Sequence, residues 1–240
     1  MRLHLALLPV MLLIPPSAGL PAAEPGPPWV DLNALDSWKS PAGAWAIVGG
    51  VRIAPDNPKL LAAEPGEGIL YNGPTGRTTN ILSNQSFGDV ELQAEFFIPK
   101  GSNSGIKFQG VYEIQIFDSH GKAKLDGSDC GGIYPRAELL PRYHHIDEGH
   151  APRINASKPA GEWQALDITF RAPRFDSQGK KTANARFEKV VLNGQVIHQD
   201  VAVETPTGHA WHNKEQPAGP LLLQADHGPV AFRKLRARAL

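Results

Sequence analysis

An all-β, two-sheet antiparallel sandwich is the fold this sequence predicts, on three observations. Short runs alternate apolar and polar side chains with period two, as an extended strand must when it buries one face. In residues 89–99 this puts Val90, Leu92, Ala94, Phe96 and Ile98 on one face and Glu91, Gln93 and Glu95 on the other, and Pro99 stops the run. No segment carries a helical period, and there is no internal repeat. The 24 Gly and 22 Pro punctuate about a dozen such runs, the pattern of a closed or stacked β-fold.

Taken in order, Met1-Arg2, the apolar run 3–14 and the small-residue stretch 15–23 have the form of an export signal. The apolar run is shorter than the roughly 20 residues that span a bilayer. Residues 1–23 are therefore expected to be removed, leaving residues 24–240 as a single secreted or periplasmic domain with no membrane association. After a Pro-rich lead-in, residues 29–35 and 38–51 read as short strands and turns, with Gly49-Gly50 as a turn. Residues 55–68, dense in Pro, Gly and charge, read as loop, and order resumes briefly at 68–73. Two strands follow at 106–109 and 111–118, then a long irregular insertion at 121–158. Connections of that length tend to be binding or lid loops. Residues 163–170 form a strand, and 187–200 a hairpin turning at Asn193-Gly194, the strongest short turn signal. Residues 202–219 are loop, and 220–228 and 229–238 close the chain as strands.

The 240 residues hold 24 Lys plus Arg against 24 Asp plus Glu. A neutral chain without a basic block argues against nucleic-acid or anionic-membrane partners. The lone Cys130 cannot form an internal disulfide.

The stretch 101–120 organises the rest. On its second strand Tyr112, Ile114 and Ile116 share a core face, so Glu113 and Gln115 take the other, together with Lys107 and Gln109 of the preceding strand and with Asp118 at the exit. The ordinary expectation for such a face is that it is wet. Near the C-terminus Gln224 and Asp226 alternate against Leu221 and Leu223, and His227 stands at the strand end. If the strands share a sheet, a carboxylate and a histidine converge on one groove, a pairing suited to acid and base work near neutral pH. Arg233, opposite Phe232, is placed to hold a carboxylate such as Glu113 or Asp118.

No nucleophile elbow, phosphate loop, dinucleotide fingerprint or His-Glu-x-x-His is present. His144, His145, Asp147, Glu148 and His150 carry metal-ligating atoms, but their spacing matches no standard site, and bracing the loop is the expected role. Asn155-Ala-Ser157 is formally a glycosylation acceptor without expected consequence.

Seven short motifs occur in a fixed order: Asn103-Ser-Gly-Ile106; Tyr112-Glu113-x-Gln115-x-x-Asp118; Gly132-Ile-Tyr134; Pro159-x-Gly-Glu-Trp163; Asn193-Gly194; Leu223-Gln224-x-Asp226-His227-Gly228; and Phe232-Arg233. In this the chain resembles the 3-keto-disaccharide hydrolase domain family, from about Trp29 to the C-terminus. The resemblance implies a concanavalin-like jelly roll of exported bacterial proteins and cleavage of glycosidic bonds in sugars already oxidised at carbon 3. The ketone acidifies the hydrogen on carbon 2. A base removes it, the carbon 1 substituent leaves by elimination, and water adds back for net hydrolysis. The site must then supply that base and stabilise the enolate oxygen with donors or a divalent metal ion. Glu113, His227 and Asp118 are the candidates for base or metal ligand. Lys107, Gln115, Tyr134, Gln224 and Arg233 are the candidates for sugar and enolate contacts. The insertion carrying the histidines is longer than a minimal family member needs, which leaves substrate choice open; the number of associating chains is not set by the sequence.

The rival reading is a lectin-like module without catalysis. A binder stacks sugar rings on open aromatic faces, for which Trp163 and Trp211 are the candidates. An enzyme converges a carboxylate and a histidine in a pocket.

Overall fold

The computed structural model describes residues 26–39 and 43–240. The expected export signal at 1–23 lies outside them. The strands are β1 (Val30–Asp31), β2 (Ala46–Ala54), β3 (Asn57–Tyr71), β4 (Ile81–Phe87), β5 (Val90–Phe97), β6 (Asn103–Phe108), β7 (Tyr112–Phe117), β8 (Ala137–Glu138), β9 (His144–His145), β10 (Gln164–Arg171), β11 (Arg174–Phe175), β12 (Lys181–Ala183), β13 (Ala185–Leu192), β14 (Gln195–Val203), β15 (Gly219–Leu223) and β16 (Ala231–Ala239). Two short 3₁₀ turns, Leu35–Ser37 and His209–His212, are the only helical elements among the described residues.

The large sheet runs β14-β13-β10-β5-β16-β3-β2, with β1 beside β16, and the small sheet runs β4-β15-β6-β7. All ladders within them are antiparallel. The result is the two-sheet antiparallel sandwich that the alternating runs predict, in the jelly-roll form that the resemblance implies. Its core lies where the inner faces meet. Phe108 of the small sheet stacks on Phe170 of the large sheet at 4.9 Å and meets Phe187 edge-on at 5.5 Å. Along β5 the alternation holds residue for residue, with Val90, Leu92, Ala94 and Phe96 buried between the sheets. The β13–β14 hairpin turns at Asn193 (φ 51°) and Gly194 (φ 80°), as two successive positive angles require of a type I′ turn.

The structure corrects the reading of residues 46–68. Gly49-Gly50 is not a turn, and 55–68 is not loop: both lie in the long β2–β3 hairpin, whose turn is at Pro55-Asp56. The prolines tolerate this because β3 pairs with β2 along its length but with β16 only at Leu70 and Tyr71, so Pro58 and Pro65 lack a partner strand on one side. The glycines act at a bulge. A Cβ on Gly49 would stand 2.7 Å from the carbonyl oxygen of Pro65, and one on Gly66 2.6 Å from the Cα of Gly49, so only two glycines let the strands close here. β4, rich in Ser, Asn and Gln, carries no strong strand signal in the sequence. It pairs with β15 at the sheet edge.

The insertion does more than loop out. Gly131 N–H donates to Gln115 O at 2.8 Å, Gln115 N–H to Gly132 O at 2.9 Å, and Tyr134 N–H to Glu113 O at 3.1 Å. Residues 131–134 thus extend the small sheet past β7. This overturns the expectation of a wet face: Glu113 and Gln115 are each only 2% exposed. Gln109 is also not on that face, since β6 ends at Phe108 and Gln109 turns the chain with φ 54°. Cys130 is fully buried and its thiol is pushed up to about 12 by desolvation, so it is held protonated and inert.

Candidate active site

On β6 and β7, Lys107 stands directly opposite Glu113, and Gly105 opposite Gln115. On the other side of β6, Leu222 of β15 faces Lys107, and Gln224 N–H donates to Gly105 O at 2.9 Å. Period-two alternation therefore sends Gly105, Lys107, Glu113 and Gln224 to the outer face of one sheet. Lys107 Nζ lies 2.9 Å from Glu113 Oε2, with the two side chains 13% and 2% exposed. Gly105 is what makes room for the carboxylate: a Cβ there would fall 2.3 Å from Glu113 Oε1. The loop after β14 closes the other side. Thr207 Oγ1 accepts from Glu113 N–H at 3.0 Å and donates to Val111 O at 2.9 Å, bringing Gly208 and His209 to the rim.

These groups open into a cavity of about 290 Å³ that Lys107, Glu113, Tyr134, Gln224 and His227 all line. This is close to the lower bound of roughly 300 Å³ for ligand pockets, room for one sugar ring. Five of the eight residues singled out in the sequence thus meet in one hollow. His227 Nδ1 sits 2.6 Å from Asp226 Oδ1, leaving Nε2 as the ring nitrogen for a substrate. Asp226 is fixed in turn by Arg77, which donates to its backbone oxygen at 2.8 Å. The side-chain carbonyl of Gln224 is buried without a hydrogen-bond partner among the described residues, an acceptor left for a ligand hydroxyl.

Above the carboxylate, the hydroxyls of Tyr134 and Tyr143 are 3.0 Å apart, and His145 Nε2 is 3.1 Å from the Tyr134 oxygen. Burial first, then the hydrogen bond to Tyr143 and the charge of Glu113, push the Tyr134 hydroxyl far above the usual range. Burial and Glu113 raise Tyr143 as well. Both therefore remain protonated donors at neutral pH.

Three candidates lie elsewhere. Gln115 is buried two pairs further along the ladder, outside the cavity, its side-chain oxygen without a described partner. Asp118 Oδ2 accepts from Gly101 N–H at 2.9 Å and pins the turn before β6. Arg233 does not hold Glu113 or Asp118. It belongs to the other sheet, where it pairs with Glu95 at 2.6 Å and stacks 4.1 Å over Trp163, because β16 turns its polar side chains to the outer face of the large sheet. Asn80, Asn103, Tyr143 and His209 line the cavity without having been among the candidates, and Asp226, read from the sequence as part of the same polar face though given no role, lines it too. Asn103 and Asp226 stood inside motifs already noted. Tyr143 and His209 come from irregular loops that no periodicity places.

A larger hollow of about 500 Å³ lies on the outer face of the large sheet, lined in part by Trp29, Gln93, Glu95 and Arg236. Several of its polar groups satisfy one another: Arg236 donates to Gln93 at 2.6 Å, Lys234 to Glu95 at 2.6 Å, and Trp29 lies beneath Arg236 and Arg238. The smaller pocket holds a buried side-chain oxygen, that of Gln224, without a described partner. The candidate aromatic platforms are also occupied, Trp163 by Arg233 and Trp211 by Arg136 and His212. Among the described residues no three His, Cys, Asp or Glu side chains group to hold a metal ion. In the insertion, Asp147 instead braces the loop, accepting from Arg136 Nε at 2.6 Å and Gly149 N–H at 2.9 Å.

Fold and pocket together define a jelly roll with a single-ring polar pocket on its small sheet. The family of 3-keto-alpha-glucoside-1,2-lyase-like domains matches residues 29–238, and the chain belongs to that carbohydrate-acting family. A comparison with curated proteins finds no match. Among solved structures, a candidate glycosyl hydrolase from Parabacteroides distasonis ATCC 8503 aligns with a TM-score of 0.63 at 24% identity, over 86% of this chain and 80% of its own. A second candidate glycosyl hydrolase from that organism aligns at 0.56 and 19% identity, over 89% of this chain and 100% of its own. A third aligns at 0.53 and 14% identity, over 88% and 94%. At these identities the likeness is one of fold.

Proposed function

We propose that this protein is an exported enzyme that cleaves the glycosidic bond of 3-keto-glycosides, disaccharides included, by proton removal at carbon 2 and elimination at carbon 1. The observation that carries the reading is the dehydrated Glu113–Lys107 pair on the floor of a single-ring pocket whose rim holds the Asp226–His227 dyad. Glu113 is the base: its carboxylate takes the carbon 2 proton while the electron pair moves to the ketone oxygen at carbon 3. Lys107 and the protonated tyrosines are the donors that stabilise the resulting enolate. The enolate collapses to a carbon 1–carbon 2 double bond, restoring the ketone and expelling the leaving oxygen, which takes a proton from His227. His227 gives that proton from Nε2 as the imidazolium paired with Asp226; water then adds across the double bond, its oxygen to carbon 1 and its proton to His227, while Glu113 returns its proton to carbon 2, which gives net hydrolysis. Two carboxylates flanking an oxocarbenium-like centre, as in ordinary glycosidases, are not needed.

Trp163 and Trp211, the two candidate platforms, both lie under arginine side chains, which favours this reading over a lectin-like module. The test is incubation of the purified protein with a 3-keto-glucoside and with the same glucoside unoxidised. Release of the aglycone or second sugar from the ketone alone is expected. Equal release from both, or from neither, refutes the elimination.

A further inference from the structure

The exposed apolar side chains of this molecule are unevenly placed. Among the described residues seven large hydrophobics are exposed, and four of them, Leu139, Leu140, Tyr143 and Ile146, fall within one eight-residue stretch of the insertion. Leu140 is 80% exposed. Such a concentration on a soluble fold marks an interaction site more often than chance exposure does.

The stretch is held in place. Its two ends pair as β8 and β9, with Ala137 opposite His145 and Glu138 opposite His144. Asp147 ties the descending arm to Arg136, and the Tyr143 hydroxyl is bonded to Tyr134. Tyr143 belongs both to this apolar tip and to the wall of the pocket. Through Tyr143 the tip adjoins the pocket.

We propose that this tip is the subsite for the leaving group, and that it selects glycosides whose aglycone is a flat apolar or aromatic group over those whose leaving group is a second sugar. The proposal rests on the reading of the pocket as the seat of the keto-sugar. A glycoside of two rings outgrows a cavity of about 290 Å³, so the outer part of its carbon 1 substituent must lie beyond the lining, of which Tyr143 is the part continuous with the tip. A second sugar there would need donors and acceptors for its hydroxyls, and Leu139 and Leu140 offer none. An aromatic ring would be covered by them and by the edge of Tyr143 at little polar cost.

The experiment measures binding by calorimetry with unoxidised probes, 4-nitrophenyl glucoside, methyl glucoside and maltose, which carry no ketone to drive elimination. The wild-type chain is expected to bind the aryl glucoside about tenfold tighter than the other two, from burial of one ring face. In the Leu139→Ser, Leu140→Ser double variant that advantage should shrink to threefold or less with methyl glucoside binding unchanged. Comparable affinity for all three probes overturns the proposal, as does an aryl advantage that survives the double substitution. If the leucines instead drive self-association in sedimentation, with no aryl preference, the tip belongs to a second copy of the chain and the proposal fails. An aryl preference without turnover of 3-keto-glucosides would keep the subsite and sink only the reaction.

Discussion

Lys107 and Glu113 form a directly opposed cross-strand pair, 2.9 Å apart and almost shut off from water, at the floor of a cavity that no other described carboxylate approaches except Asp226. A buried ion pair contributes little net stability, because desolvation offsets attraction, but removing one partner strands the other. The pair therefore has consequences for both folding and chemistry.

Lys107→Met should destabilise the protein by roughly 3 kcal/mol, since it leaves the Glu113 carboxylate uncompensated in a dry site. Adding Glu113→Leu should recover much of that loss. Urea unfolding of the two variants decides it. A double variant as unstable as Lys107→Met alone would mean that packing, not charge, explains the cost.

Glu113→Gln keeps the shape and removes the base. We expect kcat/KM on a 3-keto-glucoside to fall by about 10²–10⁴, and enzyme-catalysed exchange of the carbon 2 hydrogen with deuterated solvent, read by NMR, to fall with it. Exchange at the wild-type rate would assign the base elsewhere.

His227→Ala should leave that exchange largely intact while slowing bond cleavage, and more so for alkyl aglycones than for nitrophenol, which departs without a proton. A loss independent of leaving-group basicity would remove His227 from the role of acid.

Gly105→Ala puts a methyl group where the Glu113 carboxylate now rests. The carboxylate is the far end of a flexible side chain, so it should swing aside without backbone movement. Activity is expected to drop at least tenfold with thermal unfolding shifted by only a few degrees. Crystals showing the carboxylate unmoved at full activity would contradict this.

His198 on β14 is buried, its Nε2 donating to Gly131 O at 2.8 Å beneath the segment that extends the small sheet. Desolvation, with smaller contributions from His150 and Arg153, lowers its pKa to about 4 from an ordinary 6.5. The unfolded chain then binds a proton below about pH 6.5 that the folded chain refuses until about pH 4. Stability from this group is full above pH 6.5 and is lost as pH falls toward 4. A His198→Gln variant, which does not titrate, should show a flatter loss of stability across that window in denaturant titrations.

What the sequence by itself determined is the sandwich and the membership of the site's floor. Period-two alternation puts Glu113 opposite in face to Tyr112 and Ile114 whatever the rest of the chain does, and Asn193-Gly194 commits the backbone to a hairpin. These are local properties, set by the pleat and by φ. The sequence could not say that Pro58, Pro65 and the Gly49–Gly66 contact belong to a strand pair, because a proline is tolerated only where a neighbouring strand is missing, and neighbours are fixed by the whole sheet order. Nor could it decide that Arg233 answers Glu95 while Glu113 answers Lys107: alternation gives each side chain a face but not the sheet that the face belongs to. The burial of Glu113, and with it the chemistry proposed here, came only when residues 131–134 of the irregular insertion closed alongside β7 and brought Tyr134 with them.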